Sequence, residues 1–226
     1  MNTTAPIGHS GHPSAPQDVG IFPGRAPESL PALSDLQFDA ALRLIQSRRN
    51  VSPRRLVEPG PSQRQLTDIL GAAAAAPDHG LLIPWRFVVV PVNKRHVLAE
   101  AFALALIDRD PGATLEQIEA AREKAYRAPF LMLVIARLGV TEQAIPAVER
   151  LVSLGCAVQN VLLSACAAGF GSGLTSGQAM SSPRLMSVCG LVESEQLVCC
   201  INIGSVAQSK SPRVRPDVSA FVSELP

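Results

Sequence analysis

The chain has 226 residues, of which 47% are hydrophobic and 4% aromatic, and this favours one domain with a core of Leu, Val, Ile and Ala side chains. Lys and Arg number 20 against 19 Asp and Glu, so the net charge of +1 excludes a function that depends on bulk attraction to nucleic acid or to an anionic membrane surface. No apolar run is long enough for a signal peptide or a transmembrane helix.

The cysteines predict a reducing compartment. Cys156, Cys166, Cys189, Cys199 and Cys200 are odd in number, lie in apolar helix or strand patterns, and show no C-x-x-C spacing of a zinc or redox site. We therefore expect small buried thiols in a cytoplasmic protein without a metal site. Cys199 and Cys200 are neighbours in a predicted strand, where they should point to opposite faces.

Residues 1–34 are rich in Pro, Gly, Ser, Thr and Ala, and their apolar residues do not cluster. Such a segment buries too little surface to offset its ordering entropy. The sequence therefore predicts a disordered tail followed by one domain over residues 35–226. His9 and His12 in the tail are expected to be solvated rather than to hold a metal.

The first predicted helix begins at Ser34-Asp35-Leu36-Gln37, which fits a capping box. One apolar face follows at helical spacing, made of Phe38, Ala41, Leu42 and Ile45. The paired arginines Arg48 and Arg49 end this helix, and an extended, proline-punctuated connection follows over residues 51–61.

A second helix is predicted from residue 61 or 62 to about residue 76, where Pro77 disfavours its continuation. Residues 78–80 are typical of a turn, and an apolar strand follows over residues 87–91. A proline-framed loop that holds His79 thus connects a helix end to a core strand, a common place for functional residues. A merely solvated His79 is the alternative.

The rest of the chain alternates helices with short apolar strands. Helices are predicted over residues 94–108, 114–127, 148–168 and 182–190, and central strands over residues 130–138 and 196–203. Because the helix over residues 148–168 is apolar on most faces, it should be buried, in the core of either a monomer or a dimer. These elements predict an α+β domain, a three-layer α/β/α arrangement with a small sheet covered by helices.

A glycine-rich run, G-F-G-S-G-L-T-S-G, occupies residues 169–177 after this long helix. Gly169 is expected to cap the helix. Dense glycine lets backbone approach a ligand closely and lets peptide N–H groups point into a site, whereas a flexible loop is the alternative. Since the run follows a helix rather than a strand, it is not a dinucleotide-binding fingerprint.

Four motifs occur in a characteristic order: R-R-N at 48–50, A-P-D-H at 76–79, P-W-R-F at 84–87 and the glycine-rich run at 169–177. With these motifs the chain resembles the FMN-dependent nitroreductase family, especially its small single-domain bacterial NAD(P)H nitroreductases, over about residues 36–222. The resemblance implies the nitroreductase-like fold and an intertwined homodimer. It also implies an FMN at the dimer interface that both chains contact.

The resemblance further implies site residues by their positions. The FMN ligands it implies are Arg48, Arg49, Asn50, Ala75, His79, Leu174, Thr175, Ser176, Lys210 and Arg213. The segment that matches an NAD(P)-binding stretch of close relatives is Ser164, Ala165, Cys166, Ala167, Ala168 and Gly169. Arg48 would contact the phosphate and ribityl chain, and His79 would reach the flavin of the partner chain. An arginine pair that only caps a helix is the alternative for Arg48 and Arg49.

Some of these positions depart from the family pattern. Asn50 stands where the family usually has Ser, and Ala75 stands where close relatives carry Arg. Leu174 and Thr175 stand where relatives have Trp and Arg. These replacements bear on flavin affinity and on the shape of the pocket over the flavin ring.

Side chains offer few candidates for acid–base or nucleophilic catalysis, because His79 and His96 are the histidines after the tail and no hydrolase, zinc-protease or phosphate-loop motif occurs. We therefore expect no catalytic side chain, an FMN that carries the chemistry, and NADH or NADPH as co-substrate. The acceptor would be a nitroaromatic, a quinone-like compound or another small molecule. A different flavin chemistry, or a flavin-binding relative with a decayed site, are the alternatives.

Overall fold

Five antiparallel strands form one sheet in the computed structural model, which describes residues 35–139, 145–208 and 214–225. The strands are β1 (Leu56–Val57), β2 (Trp85–Val89), β3 (Phe130–Arg137), β4 (Gly171–Thr175) and β5 (Glu195–Val206). β5 pairs with β3 along one edge and with β4 and then β1 along the other, while β2 pairs with the far edge of β3. The predicted tail over residues 1–34 lies outside the described residues.

Helices cover both faces of this sheet. The α-helices of the described residues are α1 (Asp35–Ser47), α2 (Gln63–Gly71), α3 (Arg95–Arg109), α4 (Leu115–Arg122), α5 (Ala147–Ala167) and α6 (Pro183–Cys189). Short 3-10 turns lie at Pro53–Arg55, Ala72–Ala75, His79–Leu81, Val92–Lys94, Glu123–Tyr126, Gln178–Ser181 and Val218–Ala220. The predicted α+β fold, with a small sheet between layers of helices, is confirmed.

Helix α2 begins and ends for reasons that are visible in the sequence. The Ser62 side chain accepts a hydrogen bond from the Gln65 N–H, and the Gln65 side chain accepts one from the Ser62 N–H, which makes a capping box. The helix was expected to continue to about residue 76. It is α-helical only to Gly71 and then tightens into the 3-10 turn Ala72–Ala75 before Pro77, which cannot continue it.

Some strand predictions need correction. The strand expected over residues 87–91 is β2, which runs over Trp85–Val89 because these residues pair with β3. β5 was expected to end at Gly204, but it continues to Val206 because β1 pairs with its last residues. The run over residues 169–177 is not a flexible loop, since it contains β4. A Cβ atom at Gly171 would collide with side chains of Val206 and Leu56, so glycine lets three strands meet closely here.

Alternate residues of the central strands separate two halves of the core. Val134 of β3 and Cys199 of β5 belong to the cluster that includes α2 and α5. Leu133 and Cys200, their neighbours in sequence, belong to the cluster that includes α3, α4 and α6. The expectation that the adjacent cysteines point to opposite faces of a strand is thereby confirmed.

Helix α5 fills the centre of the first cluster. Leu154, Ala157, Val161, Leu162 and Ala165 are buried against the sheet and α2. By length and composition α5 could cross a membrane, so the expectation that no apolar run is long enough was wrong. Its packed side chains are those of a core helix, as the sequence predicted.

Helix α1 shows the opposite behaviour, because none of its residues is buried. Leu36 is 80% exposed, Phe38 65% and Ile45 50%. On the outer side of α5, Val148 and Val152 are also mostly exposed. The apolar face that was predicted for α1 therefore exists, but a single chain leaves it uncovered.

Candidate functional site

The segment after α1 is bonded to strand β4. The Asn50 side-chain oxygen Oδ1 accepts a hydrogen bond of 2.7 Å from the Leu174 N–H, and the Val51 N–H donates one of 2.8 Å to the Ser172 carbonyl oxygen. A Cβ atom at Gly173 would collide with the Val51 carbonyl oxygen. Glycine in this strand thus makes room for the chain's own backbone, whereas the sequence had suggested room for a ligand.

Arg48 lies at this junction with its side chain half-buried. Among the described residues its guanidinium has no hydrogen-bond or ion-pair partner, whereas its carbonyl oxygen accepts a hydrogen bond of 2.9 Å from the Arg215 guanidinium. Arg49 is exposed and takes part in a further interaction of its own. The predicted ligands Lys210 and Arg213 lie outside the described residues.

The end of β4 carries the next group of predicted ligands. Leu174 is 37% exposed, and the Ser176 hydroxyl donates a hydrogen bond of 2.9 Å to the Val198 carbonyl oxygen. The Thr175 hydroxyl accepts one of 3.2 Å from the buried Asn202 amide, so it points into the protein. The structure therefore brings residues 48–50 and 174–176 together in one surface, which we call the β4 surface.

The remaining predicted flavin ligands lie elsewhere in the chain. Ala75 is exposed, and His79 Nδ1 lies 2.8 Å from Glu149 Oε2, near the start of α5, with both side chains largely exposed. The loop that holds His79 is strained, because Leu81 and Ile83 both have positive φ angles. The Asp78 carboxylate stabilises the loop by accepting a hydrogen bond of 2.7 Å from the Ile83 N–H.

Helix α5 separates the two groups. Ser47, next to Arg48, has its Oγ 4.0 Å from Sγ of Cys166 near the end of α5, whereas His79 contacts Glu149 near its start. A helix rises about 1.5 Å per residue, so these two ends of the 21-residue α5 are roughly 25 Å apart. One chain therefore does not place His79 beside Arg48.

The segment predicted to bind NAD(P), Ser164 to Gly169, forms the end of α5. The Phe170 N–H donates to the Ala165 carbonyl oxygen and the Gly169 N–H to that of Cys166, with Gly169 at φ +85°, which is a Schellman motif. The capping role of Gly169 is thereby confirmed. Ala165 is buried, while Ala167, Ala168 and Gly169 are exposed near Arg48, and NAD(P) binding here stays a prediction.

A pocket of about 400 Å³ opens beside Thr175 and Ser176, between the sheet and the helices α3 and α4. Three cationic residues line it, namely Arg109, Lys124 and Arg127. Sequence reasoning missed all three, because Arg109 ends α3 whereas Lys124 and Arg127 lie in and just after the 3-10 turn Glu123–Tyr126, and no motif links the two segments. The polar lining residues Gln178 and Asn202 carry no charge, and no acidic residue of the described chain lines the pocket.

The positive charge of this pocket is incompletely neutralised. Arg127 Nε is buried without a hydrogen-bond partner, and burial, followed by the charge of Arg54, lowers the pKa of Arg127. Burial, then the charges of Arg127 and Arg109, lowers the pKa of Lys124. These directions reflect cations that are partly withdrawn from water and close enough to repel one another.

A sequence model of the nitroreductase family matches residues 45–205. The chain belongs to the nitroreductase family. Its relatives include a protein of Haemophilus influenzae named "Putative NAD(P)H nitroreductase", 31% identical over 82% of this chain and 99% of that protein. Another is YdjA of Escherichia coli K12, which bears the same name and is 33% identical over 81% of this chain and 98% of its own length. The resemblance inferred from the motifs is confirmed, and with it an oxidoreductase class.

Solved structures agree on the fold. A nitroreductase-like protein from Bacillus cereus superposes with a TM-score of 0.72 over 87% of this chain and 99% of its own, at 18% identity. The FMN-dependent nitroreductase NfnB from Mycobacterium smegmatis, solved in complex with NADPH, superposes with a TM-score of 0.64 over 84% of this chain and all of its own, also at 18% identity. At these identities the likeness establishes the nitroreductase fold alone.

Proposed function

We propose that this nitroreductase-family protein is an FMN-dependent oxidoreductase that uses NADH or NADPH to reduce a small electron acceptor. The observation that carries the proposal is the β4 surface, where hydrogen bonds from Leu174 to Asn50 and from Val51 to Ser172 join the segment that holds Arg48 to strand β4. When bound, FMN would supply hydride transfer through its N5 atom. Nitroaromatic and quinone-like compounds are the acceptor classes that we propose.

The donor groups of the β4 surface suit FMN. The Arg48 guanidinium is half-buried and carries no partner among the described residues, so it can form charge-assisted, forked hydrogen bonds to a phosphate. Asn50 uses its Oδ1 on the Leu174 N–H, which leaves its amide hydrogens for a ligand. The Asn50 side chain therefore joins the segment after α1 to β4 through its oxygen and offers its amide nitrogen to a ligand.

Two chains are needed to complete the proposed site. In one chain, the α5 residues that Ser47 and His79 contact are roughly 25 Å apart, so we propose that His79 serves the flavin held by Arg48 of the other chain. The exposed apolar side chains of α1 and the outer face of α5 would then be covered in a homodimer. We accordingly propose a homodimer with two shared sites, located in the cytoplasm.

The relatives support NAD(P)H as the co-substrate. Those of H. influenzae and E. coli are named for it, and the NfnB complex contains NADPH. A flavin-binding relative with a decayed site is the second candidate. This candidate is favoured by the Thr175 hydroxyl, which accepts a hydrogen bond from Asn202 and therefore points into the protein.

The visible absorption spectrum of the purified protein tests the proposal. We expect a yellow protein, or one that becomes yellow with FMN, whose flavin band bleaches anaerobically with NADH or NADPH and returns when a nitroaromatic or a quinone is added. Bound FMN that neither nucleotide reduces would indicate a different flavin chemistry. A protein that takes up no FMN would contradict the proposal and support the decayed site.

A further inference from the structure

The pocket beside Thr175 and Ser176 combines an apolar wall with excess positive charge. Phe102, Leu106, Leu131 and Met180 supply apolar lining. Arg109, Lys124 and Arg127 supply the charge. A pocket of about 400 Å³ with mostly apolar walls and a few convergent polar groups is typical of a small-molecule site.

The cations lack the partners that surface cations usually have. Arg109 and Lys124 make no hydrogen bond or ion pair with any residue that the structure describes, and the Arg127 guanidinium makes one hydrogen bond, of 3.3 Å, to the Ala120 carbonyl oxygen. Its buried Nε has none. A buried donor without a partner is costly, so the fold holds this guanidinium in place without neutralising its charge.

The pocket is also held rigidly on the side of its cations. Buried Arg95 donates hydrogen bonds to the carbonyl oxygens of Val90, Ala125 and Pro129, at 2.9, 2.6 and 3.0 Å. Of these acceptors, Ala125 lies within the segment that carries Lys124 and Arg127, and Pro129 follows it. Arg95 therefore fixes the backbone of this segment against the start of α3, and the repelling charges are kept together by the fold.

We propose that this pocket binds the anionic edge of an aromatic ring. This inference rests on the proposed function, because the pocket adjoins the end of β4. The anion then has two sources. One is the pyrimidine edge of reduced FMN, on which negative charge develops, and the other is a carboxylate on an aromatic electron acceptor. Both are planar anions with an apolar body, which the lining suits. Guanidinium groups recognise such planar anions with forked hydrogen bonds.

Benzoate and its neutral analogue benzamide are the probes. The full-length protein as purified is titrated with each by calorimetry, together with the variants Lys124→Gln and Arg127→Gln. Arg122→Gln is the matched control, because Arg122 lies two residues before Lys124 but pairs with Glu100 and Glu119 outside the pocket. In protein that carries flavin, the midpoint potential of bound FMN is measured on the same four samples.

If an acceptor supplies the anion, benzoate binds about tenfold more tightly than benzamide, and both pocket variants lose this preference while Arg122→Gln keeps it. If reduced FMN supplies it, both pocket variants lower the midpoint potential, by about 30 mV for a tenfold loss of preference for the reduced form. The proposal is overturned if benzoate shows no preference and the potentials match that of Arg122→Gln. If the protein does not bind FMN, the proposed function is refuted. The comparison of benzoate with benzamide then tests the anion-binding pocket by itself.

Discussion

Asn50 Oδ1 and the Leu174 N–H are joined by a hydrogen bond of 2.7 Å that connects the end of α1 to strand β4. The two residues are distant in sequence, yet both belong to segments that the family resemblance placed at the flavin. We expect Asn50→Ala to lower FMN affinity about tenfold, because the β4 surface loses the bond that holds its halves together. FMN fluorescence on dilution measures this.

Ser205→Ala is the control for Asn50→Ala. It removes a comparable side-chain hydrogen bond, of 2.7 Å to the Pro59 carbonyl oxygen, at the β1 edge of the sheet. The two variants should lose similar amounts of stability, about 1 kcal/mol. Equal FMN affinity in both would refute the special role of Asn50.

Gly173 leaves room for the contact between the segment after α1 and strand β4. A Cβ atom at this position would collide with the Val51 carbonyl oxygen. We expect Gly173→Ala to lower the free energy of unfolding by about 1–3 kcal/mol and to weaken FMN binding, because residues 50 and 51 must move away from β4. Gly71→Ala is the control, as nothing lies near its Cβ position at the exposed end of α2. Denaturant titration measures the free energy of unfolding of both variants. Equal values would contradict the close contact between residue 173 and the Val51 carbonyl oxygen.

Arg48 is the proposed phosphate ligand. Arg48→Ala should weaken FMN binding by about 1.5–3 kcal/mol, tenfold or more, because a charge-assisted hydrogen bond is lost. Arg64→Ala, an exposed arginine of α2, is the matched control for the loss of one positive charge. Unchanged FMN retention in Arg48→Ala would support the alternative in which the arginine pair only ends a helix.

The buried thiols provide a prediction that is independent of the flavin. Burial raises the pKa of Cys199 to about 11 and that of Cys200 to about 12, and burial also raises the pKa of Cys189. A raised pKa lowers the thiolate fraction at pH 8, and thiolate is the reactive form. At most Cys156 and Cys166 should therefore react with a disulfide reagent in the folded protein, and all five after denaturation. Rapid modification of Cys199 or Cys200 in the native state would contradict this packing.

Patterns within single elements made much of the fold predictable. The helix start predicted at residue 61 or 62, the apolar run that became β3 and the glycine that ends α5 each depend on neighbours in sequence, so their signals are local. The sequence did not show why residues 171 and 173 are glycine. The reason is the close approach of Leu56 and Val51, which come from elsewhere in the chain.

The candidate site was predictable only where a family motif covers it. Arg48, Asn50 and Ser176 were named from motifs, and the structure brings these segments together. Lys124 and Arg127 carry no signal in one sequence, because a lysine and an arginine in a segment predicted to be helical are ordinarily solvated. Their significance comes from tertiary packing, which places them in one pocket with Arg109 of a different helix.

The central claim is that each flavin site is shared between two chains. The separation of Arg48 and His79 along α5 makes the claim testable with a mixed dimer that contains one Arg48→Ala chain and one His79→Ala chain. One site of this dimer would carry both substitutions and the other neither. Two different tags on co-expressed chains isolate it, and circular dichroism checks that each parent is folded.

The decisive measurement is the NAD(P)H oxidation rate of the mixed dimer with a saturating acceptor, compared with both parent dimers and the unmodified protein. Because every site in each parent carries one substitution, both parents should be impaired, whereas the mixed dimer should recover up to half of the unmodified rate. A mixed dimer no faster than its parents, or a protein that sediments as a monomer, would contradict the shared site.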